Sequence, residues 1–201
     1  MDDEITNLAD VKSFDPADYA TAAQGSTADS ALQSVVDDTT PQLGGDLDLN
    51  GNNIDVGEDA SITIDPSLSA DAKYSGITIT GTGGATIAVG DVIYLDATAG
   101  EWLLADASAA ATAGPVPIGI AVSTSTDGNP VTVLLNGTVR AATFPASIAL
   151  GAAVYISETE GDLTATAPTT ASAIVRVLGW AVTTEPNTIY FNPTPSWVEI
   201  A

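Results

Sequence analysis

The chain has 201 residues, 45% of them apolar, enough to bury a core in one large domain or two small ones, which excludes disorder throughout. Its formal charge is −22, from 26 carboxylates against Lys12, Lys73, Arg140 and Arg176, so phosphate backbones and anionic lipid repel it and neither nucleic acid nor a membrane is expected as a partner. The absence of His and Cys removes disulfides, thiolate and imidazole metal sites, and Ser-His-Asp or Cys-His catalysis.

The start, Met1-Asp2-Asp3-Glu4, lacks the basic and apolar layout of a secretory signal, and no run reaches the roughly 18 apolar residues of a membrane helix. This predicts a protein made and kept soluble. The acid is uneven: 16 carboxylates fall within residues 1–72.

Residues 1–36 read as an attachment segment with two short helices. Pro16 to Ala23 follows Asp15, a good N-cap, and Gly25 is expected to end it. Thr27 to Val36 places Ala28, Leu32, Val35 and Val36 on one helical face. So narrow a stripe needs a neighbour, and these four residues are the expected contact with other copies or with a larger surface.

Residues 37–72 read as a small β-rich neck. Leu47, Leu49 and Ile54 alternate with Asp and Asn around Asn50-Gly51, the pattern of short strands joined by a tight turn, and Ser61 to Asp65 reads as a further strand stopped by Pro66. Asp46, Asp48 and Asn50 also copy the opening of an EF-hand calcium loop. The twelfth position is Gly57 instead of Glu, so a polar strand and turn explain the same residues and the calcium site stays a weak candidate; no metal or other cofactor is expected.

Residues 73–201 read as an antiparallel β-barrel or sandwich. Short segments such as GITIT, ATIAV, DVIYLDA, EWLLAD, IGIAVSTS, AAVYIS and TIYFN are separated by turn signals at Gly83-Gly84, Asp127-Gly128-Asn129-Pro130, Asn136-Gly137, Glu160-Gly161 and Pro186-Asn187. Residues 85–107 are echoed at 146–168, an offset of 61, and Gly119-Ile120-Ala121-Val122 returns as Gly179-Trp180-Ala181-Val182 at an offset of 60. This pseudo-duplication predicts two hairpin-plus-strand units that share a core. Arg140 and Arg176, inside apolar strands, are expected to pair with carboxylates. No catalytic residue is assigned. A two-carboxylate glycosidase with Trp102, Trp180 or Trp197 stacking on sugar stays formally open.

The segments ATAAQGSTADSALQ at 21–33 and DDTTPQLGGDLDLNGNNI at 37–54 resemble linker and neck motifs of tailed-bacteriophage fibre and virion proteins. The I-A-x-G-x-x-V-Y unit, with Ile93 in place of Val in its first copy, and the G-x-A-V unit, both repeated between Ile87 and Asn192, are similar to small β-barrel capsid-decoration proteins of such phages. The resemblance implies a non-enzymatic virion protein on the outer surface of the phage head, a decoration (cement) protein or short head fibre, forming a homotrimer bound to the major capsid protein. The alternatives are a tail-fibre module that recognises host glycans and, further off, the carboxylate-pair hydrolase.

Overall fold

A computed structural model describes residues 21–29, 44–146 and 148–201, with the side chains of Ala28 and Asp29 outside that description. Contacts divide the chain into two compact units, Met1–Gly57 and Glu58–Ala201.

In the first unit, helix α1 spans Ala22–Asp29. It is opened by a capping box. The Gln24 amide donates to Thr21 Oγ1 at 3.2 Å, and Thr21 N–H donates to Gln24 Oε1 at 2.7 Å. The helix therefore runs through Gly25, which the sequence reading expected to be a stop; Thr21 starts the turn and Gly25 N–H bonds back to Thr21 O at 2.9 Å. Ala28 lies in α1, whereas Leu32, Val35 and Val36 lie outside the described residues.

Residues 37–43 of the expected neck lie outside the described residues. Asn50-Gly51 does form the turn, with both residues at positive φ, but residues 44–72 contain no strand. Ser61 to Asp65 has no ladder partner among the described residues: Asp65 N–H goes to the Ser75 hydroxyl and its carbonyl accepts from Thr138 Oγ1.

The second unit is a strongly curled antiparallel sheet, a half-barrel, with few helices. Its strands are β1 (Lys73–Thr82), β2 (Val92–Asp96), β3 (Glu101–Leu104), β4 (Ile118–Ala121), β5 (Pro130–Arg140), β6 (Ala153–Ile156), β7 (Leu163–Thr164), β9 (Val177–Trp180) and β10 (Thr188–Phe191). A separate pair joins β8 (Ile174–Val175) to β11 (Val198–Glu199), and the single turn α2 (Ala110–Ala113) follows β3.

The sheet order β3-β2-β4-β5-β10-β9-β6-β7 reads the same from either end once the duplicated strands are matched. The registers repeat as well. Tyr94 faces Leu103 as Tyr155 faces Thr164, and Val92 faces Ile120 as Ala153 faces Trp180. The turn entering each unit is held alike, by Gly90 N–H to Ala121 O and Gly151 N–H to Ala181 O, both at 2.8 Å.

A strand has two edges, and β1 pairs with β5 along its whole length, so β4 and β10 divide the other edge. The sheet forks there. One wing carries β4, β2 and β3, the other β10, β9, β6 and β7. The main core lies between the wings and draws on both, including Val92, Ile118, Ile120 and Leu134 with Val154, Ile156, Leu178 and Phe191. Each such side chain contributes about 1.5–3 kcal/mol when fully buried.

Equivalent strands nevertheless have different surroundings. Ile93 belongs to a second core with Ile87, Trp102, Ala121, Val131 and Val133, whereas its counterpart Val154 faces the main core. The first wing is a middle layer buried on both faces, which is why β4 is buried throughout, while β6 alternates half-buried and buried residues. Beyond β3, Gly83 and Gly84 meet Trp102, so this wing curls back to the extension of β1.

Asn136-Gly137 is not a turn, as the sequence suggested, but lies inside β5. A bulge at Leu135 precedes it. The extra residue reverses the inward alternation, which places Val133 in one core and Val139 in the other although six residues separate them.

Candidate functional site

Asp48 is used locally: its Oδ1 accepts the Asn50 amide at 2.8 Å, while Asn52 donates to Leu49 O. Asp46, Asp48 and Asn50 are exposed, and among the described residues no three acidic side chains converge on a metal-sized space.

The two arginines part company. Arg140 meets the expectation, with Nε 3.1 Å from Asp71 Oδ1 and an Nη1 that is 3.8 Å from Glu185 and donates to Leu68 O at 3.1 Å. Arg176 does not. It is 7% exposed and gives Nε to Thr194 O at 2.8 Å and Nη1 to the carbonyls of Ala113, Gly114 and Val116 at 3.3, 2.6 and 2.8 Å. A carbonyl cage takes the place of the carboxylate where α2 ends: Ala113 is the last residue of the helix, and Gly114 and Val116 follow it. Burial lowers the Arg176 pKa from its ordinary value. No sequence signal beyond an arginine in an apolar strand marks this cage.

Trp102 is buried beneath β1, where Gly81 leaves room for the indole ring; Trp180 and Trp197 are half-buried. Asp91 is the carboxylate with a perturbed environment. Desolvation raises its pKa, the Ala88 N–H bond at 2.8 Å pulls it down, and the charge of Asp162 raises it further.

Two hollows stand out. A polar one of about 310 Å³ lies over the β6–β7 hairpin, lined by Ser157, Glu158, Thr159, Thr164, Thr166 and Thr169 with Ala167 and Pro168. An apolar trough of about 380 Å³ is lined by Ile62, Thr63, Ile64, Ser75, Gly76 and Ile77. Neither contains Asp91 or Asp162. The trough borders the most apolar exposed surface of this unit: Ile62 is 75% exposed, Ile77 63%, Ile79 42% and Tyr74 41%.

No family model, characterised protein or solved structure matches this chain.

Proposed function

We propose that the protein is a structural component of a tailed-phage particle, a capsid-decoration or short head-fibre protein that binds the outer face of the shell as a homotrimer and stabilises it. The observation that supports a structural role is Arg176, a buried charge in the second unit whose Nε and Nη1 tie the Thr194 turn and the end of α2 to the stretch between β8 and β9. Among the described residues no buried side-chain polar atom lacks a partner, as suits a unit built to hold its shape. Binding to a shell would add stability by linkage, and the charge of −22 would keep the exposed surface soluble. The virion assignment itself rests on the neck and barrel resemblance.

The test is labelling of purified particles with an antibody to residues 73–201, paired with heat release of the genome from particles lacking the protein. Uniform head labelling and release at lower temperature are expected. Labelling confined to the tail tip overturns the decoration reading in favour of the fibre module, which the hydroxyl-rich hollow at Ser157, Thr159, Thr164 and Thr166 favours as a glycan-sized polar surface.

A further inference from the structure

We infer that β1 and the Ile62–Ile64 segment form the surface through which copies of this chain associate, Ile62-Thr63-Ile64 of one copy lying along β1 of the next. This goes beyond the virion reading, since it concerns only how copies meet.

The first ground is the strand itself. Natural edge strands are blunted by charge, proline or shortness. β1 runs for ten residues, pairs among the described residues with β5 alone, on one edge, and carries a single charge, Lys73, at its start. Ile77 and Ile79 on it are exposed, and no charge stands beside them in the strand.

The second ground is self-likeness. Ile62-Thr63-Ile64 and Ile77-Thr78-Ile79 are the same three residues, and the whole of the first string and Ile77 of the second line the trough. Within one copy they lie beside each other without a backbone ladder, since Asp65 N–H is taken by a side-chain oxygen of Ser75. Every copy thus offers both a strand-forming segment with no ladder and a strand with an open edge. Such a contact is complementary between identical chains. Repeated head to tail, it joins copies into a ring where the rotation between them closes and into a filament where it does not.

The third ground is charge. Two molecules of charge −22 repel each other over most of their surfaces, but residues 72–90 and 60–64 hold no carboxylate. Repulsion is least where the apolar side chains stand, which selects this face for a second acidic copy and makes association strengthen with salt.

The absence of native cysteine allows a clean test on the full chain. Ile62→Cys and Ile77→Cys proteins are prepared separately, mixed and oxidised, and mass is read by light scattering at low and high salt without substitution. A disulfide between the two variants, and a mass that rises with salt, are expected. Ile77→Asp should return the chain to monomer, whereas Leu150→Asp, at an apolar site 64% exposed elsewhere, should not. A monomer at every salt concentration overturns the inference. So does Ile77→Cys linking to itself but not to Ile62→Cys, or an equal response to Leu150→Asp. Circular dichroism checks that each variant is folded, and the mass of the unsubstituted chain decides the matter if one is not.

Discussion

Gly76 stands opposite Gly137 in the β1–β5 ladder, and each occupies space that a Cβ on the other would need. A Cβ at Gly137 would fall 2.3 Å from Ser75 O and 2.6 Å from Gly76 Cα; one at Gly76 would fall 2.1 Å from Asn136 O. The obstacles are backbone atoms, which cannot rotate away. Two facing glycines let the strands approach closely beside the bulge where the sheet forks.

Gly137→Ala is therefore expected to destabilise by more than the roughly 1 kcal/mol that glycine and alanine differ in propensity, about 2–3 kcal/mol, through the strained φ of +144° and the forced separation of β1 from β5. Thermal unfolding measures it. A loss below about 0.5 kcal/mol would show that the ladder relaxes freely here.

Arg176→Met keeps much of the side-chain length but removes every donor. The carbonyls of Ala113, Gly114, Val116 and Thr194 then lose a charged partner in a buried place, so a loss of about 3 kcal/mol is expected. That corresponds to roughly 6–12 °C in unfolding midpoint for a chain of this size. Hydrogen exchange should rise first near α2.

Asp71→Ala provides the contrast. Its partner Arg140 keeps the bond to Leu68 O, and Asp71 is half exposed, so denaturant unfolding should detect less than about 1 kcal/mol. A larger cost would show that the pair acts with Glu185 as a network.

Asp91→Asn is expected to raise stability at neutral pH. The folded pKa of Asp91 lies above its ordinary value near 3.8, so between the two values the folded state binds more protons than the unfolded one. Its contribution is complete below the unfolded pKa and is lost as pH rises through the folded pKa. The neutral amide removes that loss and keeps an oxygen for Ala88 N–H. Unfolding midpoints from pH 3 to pH 7 should converge at the acid end and separate towards neutral; parallel curves would remove Asp162 and burial as the cause.

Much of the local structure was legible in the residues. Val92–Asp96, Ile118–Ala121 and Thr188–Phe191 are strands where apolar runs end at turn residues, and Glu160-Gly161 and Pro186-Asn187 are turns because Gly161 and Asn187 adopt positive φ. The capping box Thr21–Gln24 has a local sequence signal, Thr followed three residues later by Gln, and it outweighs Gly25 as a stop because it satisfies the first free N–H groups of the helix. Of the candidate site, Asp48 and Asn50 stood on the turn that Asn50-Gly51 announced, whereas the trough at Ile62 and Ile77 had no signal beyond its repeated Ile-Thr-Ile.

The sequence by itself determined an all-β second unit, its duplication, its turns, and a chemistry without imidazole or thiol, because periodicity, turn propensity and composition act within a few residues. Only the tertiary structure decided that β5 forks the sheet, that Ile93 and Val154 serve different cores, that Asn136-Gly137 lies in a strand, and that Arg176 binds carbonyls. Those outcomes depend on which segment, up to about 60 residues away, packs on a strand's second face or leaves a carbonyl unpaired. Two near copies of one sequence unit therefore fold alike and are buried differently.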